Sequence, residues 1–226
     1  KDFVVSSVKK SVKNRKALPP FETSTLQQEA NRRLSFQSQR TMMIAQELYE
    51  GVNLGEKSTH GLITYMRTDS LRVSDEARDA AKAYILSRYG EAYYPKTPNV
   101  YKARKNAQDA HEAIRPSDPS ITPEMIKGRL TADQYKLYKL IWERFMASQM
   151  APAQFDTVSV DIACGDYIFR SSGYTLKFRG HLALYEEQQS EEEGAEVGEN
   201  KGALPPLREK DPLVKERIKP EQHFTQ

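Results

Sequence analysis

Residues Thr131–Ser148 read TADQYKLYKLIWERFMAS, and residues Phe155–Arg170 read FDTVSVDIACGDYIFR. In the first segment apolar residues recur every three or four positions behind a capping box of Thr131 with Gln134, which predicts a long helix. In the second segment apolar and polar residues alternate on both sides of the turn Cys164-Gly165-Asp166, which predicts antiparallel strands. The chain therefore changes from helix to sheet between these segments, and an α+β fold is predicted.

Further helices are predicted towards the N-terminus. Leu26, Ala30 and Leu34 repeat at helical spacing behind Ser24 and Thr25, either of which can open a capping box. The remaining helical segments are predicted to begin at Thr41 and Ser74, to end at Gly51 and Gly90, and to include short turns at residues 109–115 and 123–127.

Strand-like sequence lies at both ends of the chain, in residues 3–8 and 212–224. Gly173 is predicted to separate the second strand of the hairpin from a third strand, because glycine weakens the interior of a strand. The simplest architecture is multidomain, with a helical domain inserted into an antiparallel β domain. The helical domain is predicted at residues 21–152, and the β domain at residues 1–20 and 153–226, with a disordered acidic loop at residues 186–203.

The charge of the chain is compatible with a nucleic-acid partner. The formal net charge is +3, and residues 186–200 contain seven glutamates and no Lys or Arg, so the remainder of the chain carries +10. A moderately basic protein of this kind suits a polyanion, although many proteins with other partners share that charge. Charge alone leaves both interpretations open.

Other features of the composition narrow the class of protein. No run approaches the roughly 20 apolar residues that cross a bilayer, so no membrane partner is expected. Cys164 is the single cysteine, which excludes an internal disulfide and gives no zinc-site pattern, so the expected setting is a reducing cytoplasm. The start Lys1-Asp2-Phe3 resembles neither a signal peptide nor an initiator methionine, and we expect the chain to be a piece of a longer protein.

The segment Ile63–Ser70, ITYMRTDS, carries the candidate reaction chemistry. Residues 61–65 have strand character, and an extended backbone would place Tyr65, Arg67 and Asp69 on one side. A phenol with a pKa of about 10 needs its proton removed, and a guanidinium matches the oxygens of a phosphate electrophile. Asp69 can fix the Arg67 side chain. An ordinary solvated strand face would carry the same residues.

Two other pairs of polar residues are candidate ligands of an anion. In DAHEAIRP, residues 109–116, the four-residue spacing of His111 and Arg115 places both on one face if the segment is helical. Gln46 and Glu50 have the same spacing on the second predicted helix. The alternatives are a structural histidine that makes hydrogen bonds and an ordinary polar helix face.

These motifs resemble those of the type IA topoisomerase family. ITYMRTDS is similar to the family's nucleophile motif, and its Met66-Arg67 pair resembles the bacterial topoisomerase I branch. HEAIRP resembles a second hallmark of the family, and TSTLQQ at residues 23–28 and AQELYE at residues 45–50 resemble two of its helices. The motifs stand in family order, and the resemblance covers nearly the whole chain.

The resemblance implies a role for each candidate residue. Tyr65 would be the nucleophile that attacks DNA, and Arg67 and His111 would stabilise the phosphate. The residues implied to position their neighbours, or to bind DNA near the cut, are Thr64, Asp69, Gln46, Glu50 and Arg115.

The resemblance also implies a reaction. The parent protein would relax negatively supercoiled DNA by cutting one strand through a 5′-phosphotyrosine, passing another strand through the gap and resealing the cut. Single-stranded and negatively supercoiled DNA in the nucleoid of a bacterial cytoplasm would be its partners. The helical domain would act as a lid on the β domain, which would form the arch of a toroid.

A magnesium site is expected elsewhere in the parent protein. No acidic cluster that resembles the family's Toprim domain precedes these motifs, so the Mg²⁺ ligands are expected in that domain and none in this chain. The Toprim and remaining core domains would be partners of the chain, which is predicted to be inactive without them. The loop Val52–His60 is longer than in some relatives, which leaves its position relative to the site open.

Two other functions remain open from the sequence. One is a DNA-binding module without chemistry. The other is a tyrosine recombinase or type IB enzyme, which gathers several arginines and a histidine around a tyrosine far downstream, whereas Arg67 lies two residues after Tyr65. A type IA tyrosine holds the 5′ phosphate and a type IB tyrosine the 3′ phosphate, so the polarity of the product separates these classes.

Overall fold

The computed structural model describes residues 2–55, 59–101, 111–185 and 202–217, which group into two compact units. The helical unit consists of Lys16–Ala153 with Arg179–Glu187. The sheet unit consists of Lys1–Arg15 and Gln154–Phe178 with the described part of Gln188–Gln226. The predicted combination of helices and antiparallel strands is confirmed.

Helices and strands follow one another along the chain in a mixed order. The helices are α1 (Thr23–Leu34), α2 (Ser38–Glu50), α3 (Asp75–Tyr89), α4 (Pro123–Ile126) and α5 (Ala132–Ser148). The strands are β1 (Phe3–Arg15), β2 (Val52–Asn53), β3 (Thr59–His60), β4 (Ala153–Cys164), β5 (Tyr167–Phe178) and β6 (Pro212–Leu213). Single turns of 3₁₀ helix lie at Glu91–Tyr93, Lys127–Arg129 and Gly180–Ala183.

Helix α5 forms the centre of the helical unit. It packs against α1, α2 and α4, and its Leu137 and Ile141 side chains are fully buried. Trp142 meets Tyr84 of α3 edge-on, with 5.2 Å between the ring centroids. The indole N–H of Trp142 donates to the carbonyl oxygen of Pro119 at 2.9 Å, so its burial leaves no unsatisfied donor.

The structure confirms two predicted helix starts and corrects a third. The hydroxyl of Thr131 accepts from the Gln134 backbone at 3.2 Å, and the Gln134 side chain accepts from the Thr131 backbone at 3.0 Å. Ser74 caps α3 through its hydroxyl. Helix α1, however, begins behind Glu22, whose backbone N–H donates to Thr25 at 3.1 Å. Thr25 is therefore the partner in the capping box and not the cap.

The predicted start of the second helix at Thr41 is wrong. Helix α2 begins one turn earlier, behind Gln37, and Thr41 lies fully buried inside it. The Thr41 hydroxyl donates to the Gln37 carbonyl oxygen at 3.1 Å. A threonine can bond back to the preceding turn as well as cap a helix, so sequence alone does not separate the two roles. Gly51, with φ of 124°, follows the last residue of α2 as predicted.

The strand order in the sheet unit is β5-β4-β1-β6. Strands β4 and β5 form the predicted hairpin, which pairs Cys164 with Tyr167 at its closed end. Gly165 has φ of 62°, a conformation that favours glycine in this turn. Strand β1 is longer than predicted, because β4 still pairs with its second half, where Ser11 and Thr157 share a hydrogen bond of 2.7 Å.

Gly173 does not separate two strands as predicted, because β5 is continuous through it. A Cβ atom at Gly173 would lie 1.8 Å from the carbonyl oxygen of Gly202. The glycine therefore allows another part of the backbone to cross close to the strand. A glycine that ends a strand and one that permits such an approach look the same in a sequence.

Residues 179–185 belong to the helical unit, although the sequence analysis predicted all of 153–226 in the β domain. Leu182 and Tyr185 are buried there, and the Tyr185 hydroxyl donates to the Glu29 carboxylate of α1 at 2.8 Å. Apolar residues after the end of β5 thus pack on the helices. The roles of the two units as lid and arch stay a prediction.

Several predicted features fall outside the described residues. These are most of the acidic loop at 186–203, the first two residues of the turn at 109–115, and most of the tail after β6. Among the residues that the structure does describe, no helix is both long enough and apolar enough to span a membrane.

Candidate active site

The side chains of the segment Ile63–Ser70 alternate between solvent and core. Tyr65, Arg67 and Asp69 are exposed, as predicted, and the residues between and after them are buried. The predicted strand at residues 61–65 is nevertheless wrong. In that range Ile63 makes a single bridge with Pro116, and the backbone bends at Met66 and Arg67. Burial alternates here because the segment lies flat against the helical core.

The Tyr65 ring contacts two other rings. The His111 ring centroid is 5.6 Å from that of Tyr65, with 48° between the planes. The second neighbour is Tyr49, whose ring makes an edge-to-face contact with that of Tyr65. The ring centroids are 5.5 Å apart, with 65° between the planes. Tyr65 is still 37% exposed, so a ligand can reach its phenol. The two neighbouring rings restrict the rotation of the Tyr65 ring.

Thr64 fastens the Tyr65 segment to the segment that follows His111. Its hydroxyl donates to the Ala113 carbonyl oxygen at 2.7 Å and accepts from the Arg115 backbone at 3.0 Å. Its backbone N–H donates to the Arg115 carbonyl oxygen at 2.9 Å. These hydrogen bonds bring the two sequence motifs together and place His111 beside Tyr65.

Thr23, the first residue of α1, fastens the same segment further along. Its hydroxyl lies 2.8 Å from the Met66 carbonyl oxygen and accepts from the Thr68 backbone at 2.9 Å. The Thr23 backbone N–H donates to the Thr68 carbonyl oxygen at 2.9 Å. No role was predicted for Thr23 alone, yet it holds the backbone on both sides of Arg67.

The sequence predicted that His111 and Arg115 share a helical face, and this prediction is wrong. The segment follows an extended path, in which Ile114 bridges to Phe21 and Pro116 bridges to Ile63. Spacing of four residues is compatible with a helix, but pairing with residues far away in the chain imposes the extended path. The prediction could not include those distant partners.

Arg115 is buried, and its side chain makes contacts within the protein. Only 8% of its surface is exposed. Its guanidinium pairs with Glu112 and donates to the Pro116 carbonyl oxygen at 2.8 Å and to the Ser74 hydroxyl at 3.3 Å. Arg115 therefore connects the His111 segment to the start of α3.

The side chains of Arg67 and Asp69 both extend to solvent. Asp69 was predicted to hold the Arg67 side chain in place. Among the described residues, however, no hydrogen bond or ion pair joins the two. An exposed ion pair contributes little free energy, which removes any strong reason for the two side chains to meet. The Arg67 guanidinium keeps its donors available to an anion.

Gln46 and Glu50 share one face of α2, as their spacing predicted. The Gln46 side-chain amide donates to the Glu50 carboxylate, and Glu50 is exposed. Both residues lie in the second half of the helix, whose end meets the Tyr65 segment where Leu62 N–H donates to the Leu48 carbonyl oxygen at 2.7 Å. Tyr49, which stands between them in the sequence, contacts the Tyr65 ring.

Comparison with known proteins identifies the family of this chain. A family model described as DNA topoisomerase matches residues 1–226. The chain belongs to the DNA topoisomerase family. It is also similar to full-length topoisomerase I from Thermotoga maritima, with 39% sequence identity and a TM-score of 0.76 over 93% of this chain. The match covers 32% of that protein, so this topoisomerase chain spans about a third of its relative's length.

These findings confirm the predicted bacterial type IA topoisomerase segment and decide against a tyrosine recombinase. Within this topoisomerase chain, sequence reasoning missed the contact of Tyr49 with Tyr65. The available signal was weak, because one tyrosine among 12 at the end of a predicted helix indicates no partner. The contact depends on the packing of α2 against the Tyr65 segment, which follows α2 after the β2–β3 hairpin.

Proposed function

We propose that this chain is the nucleophile-bearing part of a longer type IA topoisomerase, the parent enzyme, which relaxes negatively supercoiled DNA. The supporting observation is the exposed Tyr65, which has the imidazole of His111 as a neighbour and Arg67 on the same side of its segment. An accessible nucleophile beside groups that can carry positive charge is what attack on a phosphodiester requires.

In the proposed reaction Tyr65 attacks a phosphodiester of single-stranded DNA. A bond forms between the phenol oxygen and phosphorus, and the bond between phosphorus and the 3′ oxygen breaks. The phenol loses its proton, and the 3′ oxygen gains one. A second strand passes through the gap, and the 3′ hydroxyl then attacks the 5′-phosphotyrosine to reseal the strand. The phosphotyrosine keeps the energy of the broken bond, so no external energy source is needed.

Arg67 and His111 are the proposed phosphate ligands. The guanidinium of Arg67 is always charged, presents two donors in the geometry of phosphate oxygens, and bonds to no other described residue. His111 lies against the Tyr65 ring and can donate a hydrogen bond to an oxygen of the same phosphate. Together they place positive charge and donors where charge develops during the attack.

The remaining residues have supporting roles in this proposal. Thr64 holds the backbone of Tyr65, as its hydrogen bonds indicate. Exposed Asp69, and Gln46 with Glu50, are proposed to contact DNA beside the cut. Arg115 is excluded from the DNA-binding set because it is buried. The helical unit is the proposed lid and the sheet unit part of the arch.

Magnesium is the proposed cofactor of the parent enzyme, bound by a Toprim domain. The residues that the structure describes contain no group of three or more His, Cys, Asp or Glu side chains that could hold a metal ion. The Toprim and other core domains are the proposed partners, and the bacterial nucleoid in the cytoplasm is the proposed location.

The polarity of the covalent product tests this function. The parent enzyme is incubated with single-stranded oligonucleotides labelled at either end, and the reaction is stopped with detergent. We expect a covalent protein adduct that retains the fragment downstream of the cut, with its 5′ phosphate on the protein and a free 3′ hydroxyl on the other fragment. An adduct through the 3′ phosphate, or DNA binding without any adduct, would contradict the proposal.

A further inference from the structure

Tyr49 lies at the end of α2, and its ring makes an edge-to-face contact with the ring of the proposed nucleophile. The ring centroids of Tyr49 and Tyr65 are 5.5 Å apart with 65° between the planes, and Tyr49 is 40% exposed. Edge-to-face pairs of this geometry attract because the positive edge of one ring meets the negative face of the other. Tyr49 therefore restricts the Tyr65 ring without enclosing it.

The backbone holds Tyr49 firmly against the segment that carries Tyr65. Gly61 lies so close to α2 that a Cβ atom on it would be 2.7 Å from the Tyr49 carbonyl oxygen. The next residue, Leu62, donates its N–H to the Leu48 carbonyl oxygen at 2.7 Å. Since both backbones are fixed at this crossing, the distance between the two tyrosine rings is set by the fold and not by flexible loops.

The second neighbour of Tyr65 is His111, with its ring centroid at 5.6 Å. Rotation of the Tyr65 side chain away from its position would break its contacts with Tyr49 and His111. An exposed tyrosine without such neighbours exchanges among several rotamers, and attack on phosphorus requires one orientation held within a few tenths of an ångström. Of these two neighbours, His111 is already proposed to bind the phosphate. No role in the chemistry has been proposed for Tyr49.

We propose that Tyr49 is a positioning residue that holds the Tyr65 phenol in the orientation for attack, through its ring and not through its hydroxyl. This inference rests on the function proposed for Tyr65. It assigns to α2, besides the polar pair Gln46 and Glu50, an aromatic contact that prepares the nucleophile before DNA arrives.

The first test examines the chain itself and does not depend on activity. 3-Fluorotyrosine is placed at position 65 alone, and its ¹⁹F resonance is recorded in the wild-type chain, in Tyr49→Phe and in Tyr49→Ala. We expect the resonance to stay in place in Tyr49→Phe and to move towards the value of the unfolded chain in Tyr49→Ala. An unchanged resonance in Tyr49→Ala would overturn the proposed contact.

The second test measures DNA cleavage by the parent enzyme in a single turnover. We expect Tyr49→Ala to cleave about 10-fold more slowly, while oligonucleotide affinity and thermal stability change little, and Tyr49→Phe to cleave like wild type. Tyr167→Ala, a truncation of a tyrosine that is 68% exposed on β5, is the matched control and should cleave normally. Equal losses in Tyr49→Phe and Tyr49→Ala, or normal cleavage in both, would refute the proposal.

Failure of this inference can be told apart from failure of the proposed function. If Tyr65→Phe removes the covalent adduct while Tyr49→Ala cleaves normally, Tyr65 remains the nucleophile and only the role of Tyr49 is lost. If Tyr65→Phe still forms the adduct, the assignment of the nucleophile is wrong and the role of Tyr49 falls with it.

Discussion

Arg67 carries a permanent charge on the exposed side of the Tyr65 segment, and its guanidinium bonds to no other described residue. We expect Arg67→Ala in the parent enzyme to slow DNA cleavage by about 100- to 1000-fold, the usual effect of losing one group that stabilises a transition state. Arg67→Lys should remain impaired, because a single ammonium does not reproduce two parallel hydrogen bonds. Single-turnover cleavage of an oligonucleotide measures both variants, and full activity of Arg67→Lys would show that only charge is needed.

Arg115 has the opposite environment, since its guanidinium is buried beside Glu112. Removal of one member of a buried pair leaves the other charge uncompensated, so we expect Arg115→Ala to lower the free energy of unfolding by about 3–5 kcal/mol. Urea denaturation of the chain measures this change. Exposed Arg72 is the matched control, and Arg72→Ala should change stability by less than about 0.5 kcal/mol. An Arg115→Ala chain that keeps its stability and loses DNA affinity would return Arg115 to the DNA-binding set.

The crossing of α2 with the Tyr65 segment depends on Gly61. Because a Cβ atom there would lie 2.7 Å from a backbone oxygen, Gly61→Ala must push the segment away from α2. We expect a loss of about 1–3 kcal/mol in stability, the usual cost of overpacking, together with slower cleavage by the parent enzyme. Gly128→Ala is the control, since no atom lies within 4 Å of a Cβ atom at that position. Equal behaviour of the two variants in denaturation and cleavage would contradict this description of the crossing.

The segment after β5 is attached to α1 by a hydrogen bond from Tyr185 to Glu29. Burial acts to raise the pKa of the Glu29 carboxyl, but the Tyr185 hydrogen bond and the charges of Arg33 and Arg32 outweigh it, so the pKa lies below the ordinary value of 4.5. Burial likewise raises the pKa of Tyr185 to about 12. The lowered carboxyl pKa contributes stability above pH 4.5 that is lost as the pH falls through its folded-state value.

Tyr185→Phe tests this attachment. We expect the variant to lose about 1.5–3 kcal/mol of stability at neutral pH, the range for a hydrogen bond to a charged group, and to lose less at pH values below the folded-state pKa of Glu29. Chemical denaturation across a series of pH values gives the measurement, with Tyr167→Phe on the exposed end of β5 as the control. A difference between Tyr185→Phe and wild type that does not vary with pH would exclude the coupling to Glu29.

At the scale of elements, sequence periodicity was sufficient where the decisive contacts are local. The capping box of Thr131, the long helix behind it and the β4–β5 hairpin all follow from neighbouring residues. The segment around His111 did not follow, because its extended path is imposed by Phe21 and Ile63, which are distant in the chain. The alternation that exposes Tyr65 and Arg67 was predicted even though the segment is not a regular strand.

The candidate site shows the same division at the scale of the molecule. Tyr65 and His111 were identified through their motifs, and the structure adds the hydrogen bonds of Thr64 that bring them together. The contact with Tyr49 and the burial of Arg115 required the packing of whole elements, which no single-chain pattern encodes. The chain covers 32% of the length of the topoisomerase I from Thermotoga maritima, and the proposed Toprim domain would lie in the rest of the parent enzyme.

The chain on its own should therefore bind DNA without changing its topology. We expect weak binding to single-stranded oligonucleotides, with affinity that falls as salt rises, because phosphate contacts to a basic surface release counterions. We expect no relaxation of negatively supercoiled plasmid, with or without Mg²⁺. Fluorescence anisotropy across a salt series and gel electrophoresis of the plasmid measure the two properties. Relaxation by the purified chain that disappears in Tyr65→Phe would place a complete active site within these residues.

In the proposed reaction, Tyr65 becomes covalently joined to a 5′ phosphate of DNA. The most direct measurement is mass spectrometry of the covalent adduct that detergent traps on the parent enzyme, after digestion with a protease and a nuclease. We expect the nucleotide to be attached to Tyr65 through its 5′ phosphate. Tyr65→Phe, which loses only a hydroxyl, should yield no adduct while it keeps the fold. Attachment to any other residue, attachment through a 3′ phosphate, or an adduct that persists in Tyr65→Phe would contradict the proposed reaction.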